Sequence, residues 1–122
     1  MTQEHKDLLL KDLCARLPYG VKVQDTYYNS FEPASIWLLD LNAQKVRLFA
    51  DEGYQSIEYI KPYLFPLSSM TEEQKREEYK LMNSNFYTST VELPDFYYKN
   101  HIDYRGLIPM GLAKDATGLN IY

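Results

Sequence analysis

The side chains best equipped for chemistry lie together in the stretch NHIDYRG, residues 100–106. His101 could act as a general base, Asp103 could orient it, and Arg105 could stabilise a developing anion. A small hydrolase or nuclease-like enzyme using His101, Asp103 and Arg105 is therefore one reading. Residues this close in sequence rarely converge on one substrate, however, and no Ser or Cys nucleophile motif accompanies them. A helix end where Asp103 and Arg105 tie down the following loop accounts for the same residues, because structural ion pairs draw on the same residue types. No residue is assigned as catalytic on these grounds.

Metal and cofactor chemistry finds less support. The chain has one Cys and two His residues, Cys14, His5 and His101, and these do not form a zinc-binding spacing. The nearest thing to a hard-cation cluster is Glu72, Glu73, Glu77 and Glu78, but Lys75, Arg76 and Lys80 are interleaved with them. That pattern reads as a solvated helix face rather than a calcium loop. Neither the P-loop nor the dinucleotide glycine pattern occurs, so no cofactor is expected.

Tyrosine is over-represented, with 12 among 122 residues. Tyrosine offers a large, stiff contact area with a polar tip, which suits binding surfaces. Tyr97, Tyr98 and Tyr104, together with the glutamates of 72–78, are the expected contact residues; rings capping a small core account for the tyrosines equally. The charge supports this emphasis. Residues 1–50 carry six charges of each sign, and residues 51–122 carry seven positive and eleven negative. Nucleic-acid binders neutralise phosphates with clustered Lys and Arg, and no such cluster exists. A reading through tyrosine stacking, with Lys22, Lys45 and Arg47 contacting phosphates from one sheet face, remains as an alternative.

The elements that must position these groups follow from periodicity. Residues 2–17 read as an amphipathic helix with Leu10, Leu13, Cys14 and Leu17 on its apolar stripe, capped by Thr2 and stopped by Pro18 and Gly20. Cys14 is expected to be a small buried hydrophobe. Strands are expected at about 21–28, 35–41, 45–50 and 56–60, with a loop at 29–34 and turns at Asn42 and 51–53. Ile36–Leu39 is apolar on both faces, which predicts a strand covered on both sides with Trp37 as a core anchor. Tyr63 to Leu67, held by Pro62 and Pro66, reads as a buried extended anchor without regular structure. A capping box at Thr71 and Gln74 starts a helix over 72–82, of which only the last turn, with Tyr79, Leu81 and Met82, is expected to dock. Residues 83–92 fit a loop or short strand, 94–101 a helix, and 102–122 an irregular tail.

Four segments carry a resemblance: LCARLPYGVK (13–22), KPYLFPLSSMTEEQ (61–74), HIDYRGLIPMGLA (101–113) and DATGLNIY (115–122). They resemble a family of small proteins that recur in anaerobic gut bacteria and in their phages and prophages. The likeness is weakest over 23–58, and Pro109-Met110 stands where a charged pair is more usual. It implies a mobile-element setting in the bacterial cytoplasm and transfers no activity, cofactor or site residue.

The sequence thus predicts one α+β domain over 1–122, a three- to four-stranded antiparallel meander packed with an N-terminal helix and two C-terminal helices. The expected role is that of a phage- or prophage-associated accessory protein that binds another protein. No apolar run suits a membrane span or a signal peptide.

Overall fold

The computed structural model describes residues 1–28, 32–49 and 53–122. Helix α1 (Gln3–Arg16) is capped by Thr2, whose Oγ1 accepts the His5 N–H at 3.1 Å. Its buried face runs through Leu9, Asp12, Leu13 and Arg16, an i, i+3, i+4, i+7 stripe that includes two charged residues. The stripe is therefore rotated from the purely apolar one. Cys14, expected inside, is exposed. A 3-10 turn at Leu17–Tyr19 ends on Gly20, whose φ of 70° closes it in the left-handed region.

Strands β1 (Lys22–Asp25), β2 (Ala34–Asp40), β3 (Lys45–Leu48) and β4 (Tyr54–Ser56) form the antiparallel meander. Its register includes Val23↔Ala34, Leu39↔Val46 and Arg47↔Tyr54. The expected turn residues Asp51 and Glu52, and part of the 29–34 loop, lie outside the described residues. The sheet then grows beyond the meander. Strand β5 (Ile60–Pro66) pairs antiparallel with β1, through Gln24↔Lys61, and two short strands pair parallel to β5: β6 (Ile102–Asp103) and β7 (Lys114–Asp115). The described strand order is β4-β3-β2-β1-β5-β6, with β7 also on β5. The fold is α+β with a mostly antiparallel sheet.

Strand β5 is the main departure from the expected architecture. The segment predicted to be extended without regular structure is a strand with partners on both sides. Thr26 N–H donates to Tyr59 C=O at 2.8 Å. The alternation of an antiparallel ladder then puts Val23↔Pro62 at a non-hydrogen-bonded site. Toward β1, the missing proline donor is not needed. Pro66 falls at the strand end, where a missing donor is tolerated.

The core lies between α1 and one face of the sheet, where Leu9, Leu13, Val23, Val46, Ile57, Ile60, Leu64 and Leu107 are sealed from solvent. The other face of β2 is open. Trp37 is 51% exposed and Leu38 is also exposed, so Trp37 is not the expected core anchor. Ordinary alternation puts Ile36 inward and Trp37 outward. The bulge between Ile36 and Leu38 then shifts the phase, so that Leu38 also faces out and Leu39 returns to the core.

Helix α2 (Glu72–Met82) carries the predicted capping box: Thr71 Oγ1 accepts from Gln74 N–H at 3.1 Å, and Gln74 Oε1 accepts from Thr71 N–H at 3.0 Å. Residues 88–92 are a π-helical turn leading into α3 (Leu93–Lys99), where a loop or strand was expected. Asn85 Oδ1 caps this segment by accepting the Thr88 N–H at 2.8 Å. Among the described residues, no helix is long and apolar enough to cross a membrane.

Candidate binding site

His101, Asp103 and Arg105 follow α3 closely, and each side chain takes different partners. The Asp103 carboxylate accepts the Leu107 and Ile108 N–H groups, both at 2.8 Å, and so fastens the loop that follows β6. Arg105 reaches the other way, from Nε to Asp12 Oδ1 at 3.1 Å and from Nη2 to the Tyr98 hydroxyl at 2.9 Å. His101 sits at φ 58°, and its ring lies flat on the Tyr122 ring with centroids 3.6 Å apart. Burial, then the positive charge of Arg16, lowers its pKa to about 4. A base so depressed is neutral at pH 7 and weak, and the carboxylate that would orient it is turned toward backbone amides. Among the described residues, no group of three or more His, Cys, Asp or Glu could hold a metal ion.

Arg105 instead belongs to a buried ionic knot that ties α1 to the end of α3. Asp12 Oδ2 accepts from Arg16 Nε at 2.8 Å, and both side chains are fully buried. Arg16 Nη2 donates to the Ile102 carbonyl at 2.7 Å. The Arg105 guanidinium carbon lies 4.9 Å from the Tyr104 ring centre, and the Tyr98 and Tyr104 hydroxyls share a hydrogen bond of 2.7 Å. Tyr97 stacks on Tyr104 at 4.8 Å and donates to Glu78 at 2.7 Å. Its pKa is raised, first by burial and then by that bond. The proposed contact residues Tyr97 and Tyr98 are thus buried, and Tyr104 is half-buried. Tyr98 faces Arg16 of α1 and Tyr97 ties α3 to α2, so these rings offer little surface to a partner.

The glutamates divide. Glu78 faces inward to Tyr97, and Glu72 pairs loosely with Lys75 at 3.4 Å. Docking of α2 runs through half-buried Gln74, Glu78 and Leu81, while Tyr79 and Met82, expected to dock, are exposed. Glu73 and Glu77 point into an open groove of about 670 Å³ between α2 and α3. From α3 and the turn before it, Glu92, Asp95 and Lys99 line the same groove, while Tyr19, Leu81 and Phe96 give it apolar walls. Four carboxylates thus face one ammonium. None of the four has a side-chain partner among the described residues, so all remain available. Sequence reasoning found the α2 half and missed the α3 half. The available signal was the spacing of Glu92, Asp95 and Lys99 at i, i+3, i+7, which puts them on one helix face.

The three cations of the nucleic-acid reading do share the open sheet face, but they are spread out. Lys22 donates to Ser35 at 3.2 Å, Lys45 lies opposite Asp40, and Arg47 is packed over Trp37 at 4.3 Å. The face presents aromatic rings more than a run of charge.

No protein-family model, curated protein or solved structure matches this chain. The site therefore rests on its own geometry.

Proposed function

We propose that this chain acts by binding another protein, and that the α2–α3 groove receives a cationic, amphipathic segment of that partner. One observation carries the reading: Glu73, Glu77, Glu92 and Asp95 converge, unpaired, on a groove with apolar walls. Carboxylates held near one another repel, and a partner's Lys or Arg relieves that repulsion while the walls cover its apolar side. The resemblance of the four segments supports a phage or prophage setting in a bacterial cytoplasm and an accessory role there.

The test is the double substitution Glu73→Lys/Glu77→Lys. Both sites are exposed, so the fold is expected to persist. A partner identified by co-purification from the native host, then re-bound from purified components, should lose at least tenfold in affinity for this variant. The wild-type affinity should also weaken with salt. Unchanged binding by the variant would refute the assignment of the groove.

A further inference from the structure

A smaller cavity of about 190 Å³ opens behind the groove, walled by Phe65 of β5, Met70 before α2, and Ile102 of β6. Thr71, Gln74 and Asn100 line both spaces, so the two meet at these side chains. We infer that this cavity is an anchor pocket for one apolar side chain of the cationic segment; the inference rests on the binding role proposed for the groove.

The chemistry of the walls selects the occupant. Phe65, Met70 and Ile102 offer apolar surface, and methionine adapts its shape to what it meets. An apolar cavity of about 150 Å³ takes a benzene ring, so this one suits a single Leu, Met or Phe side chain. The mouth is lightly held. Gln74 Nε2 reaches Asn100 Oδ1 at 3.5 Å, at the long end of hydrogen bonding. The remaining amide atoms are better engaged, Gln74 Oε1 with Thr71 N–H at 3.0 Å and Asn100 Nδ2 with Phe96 C=O at 2.9 Å. A ligand can part the Gln74–Asn100 link without breaking the α2 cap or the α3 terminus. The four carboxylates line the groove onto which this mouth opens, and a segment with one apolar residue near basic ones satisfies both chemistries.

The probes are fluorescein-labelled, lysine-rich peptides of twelve residues, identical except for Leu or Ala at one central position. Titrated with the intact chain in low salt, the Leu peptide should bind about tenfold more tightly, as expected for burying a few extra methylene groups. Met70→Trp, which fills the cavity, should abolish that advantage and leave the Ala peptide unaffected. In amide chemical-shift maps, the Leu peptide should move Phe65, Met70 and Ile102 while the Ala peptide moves only the groove. Equal affinity of the two peptides, with both still weakened by Glu73→Lys/Glu77→Lys, would overturn the anchor pocket and leave the groove standing. Failure of both peptides to bind, or binding indifferent to the double substitution, would remove the groove reading and the pocket with it.

Discussion

Replacing Asp12 by asparagine tests the buried ionic knot most severely. The Asp12 and Arg16 side chains are fully buried, and Arg105 is 15% exposed. Asp12 is their shared counter-ion, at 2.8 and 3.1 Å. Asn keeps the shape and one acceptor oxygen but removes the charge, leaving two guanidinium groups against no carboxylate in a sealed site. Arg16 already has Nη1 buried without a hydrogen-bond partner among the described residues. Breaking one partner of a buried pair costs about 3–5 kcal/mol. Against a total stability of about 5–15 kcal/mol, that is a large fraction. At roughly 4 °C per kcal/mol for a domain of this size, the thermal midpoint should fall by about 12–20 °C. Urea unfolding of wild type and Asp12→Asn, compared at equal m-value, measures the loss directly. Replacing all three charges together, by Asp12→Leu, Arg16→Met and Arg105→Met, should recover most of it, because the unpaired charge is then gone. A loss below about 1 kcal/mol for Asp12→Asn would refute the claim that these charges are desolvated and mutually dependent.

Burial and Arg16 hold the His101 pKa at about 4, below the ordinary value of about 6.5. The unfolded chain then takes up a proton that the folded one refuses. Stability from this group is present above pH 6.5 and is lost as pH falls toward 4, by about 1–2 kcal/mol once solvent screening of the half-buried ring is allowed for. His101→Asn, which tolerates the positive φ, should flatten that part of the pH–stability curve; an unchanged slope would contradict the assignment. The Tyr122 hydroxyl accepts Lys22 N–H and donates to Tyr63 C=O, both at 2.8 Å, and burial first of all raises its pKa to about 12. Its contribution is intact below pH 10 and disappears as pH rises toward 12. Tyr122→Phe should cost about 1 kcal/mol by removing the hydroxyl that bridges Lys22 N–H and Tyr63 C=O, groups that water can partly reach, read by denaturation at pH 7. Trp37, the chain's single tryptophan, should show solvent-exposed fluorescence that acrylamide quenches readily. Trp37→Ala should cost under about 1 kcal/mol, against about 2–5 for Leu64→Ala in the core.

Where the signal lay in adjacent residues, it led to the right local structure at α2. The Thr71–Gln74 capping box lies in adjacent residues, and the helix after it begins and ends where that chemistry places it. The first three strands of the meander likewise follow from alternation and short turns, but the fourth, expected at 56–60, lies at Tyr54–Ser56, and Ile57–Tyr59 is a 3-10 turn that buries Ile57 instead. Long-range partnerships were not legible. Asp12 and Arg16 look like solvated i, i+4 charges on a helix, and only Arg105 and Ile102, some ninety residues away in sequence, turn that face inward. Cys14 and Trp37 failed for the mirror reason. Each sits in an apolar run, but a rotated helix stripe turns Cys14 outward, and strand alternation after inward-facing Ile36 turns Trp37 onto the open face of β2. The tyrosines at 97 and 98 read as surface because nothing local shows that arginines and Glu78 wait to satisfy their hydroxyls.

Strand β5 joins segments that lie far apart in the chain. Residues 22–25 flank it on one side, while 102–103 and 114–115 supply its parallel partners. The β5 pairings to both ends of the chain must therefore close loops of some 35–50 residues before any of their ladder bonds form. Such distant pairings slow folding, because loop-closure entropy is lost before contacts repay it. The meander and the capped α2 can form early and wait, with the assembly around β5 setting the overall rate. During that interval the Ile60–Pro66 segment has open edges, and its two prolines limit what else can pair with them.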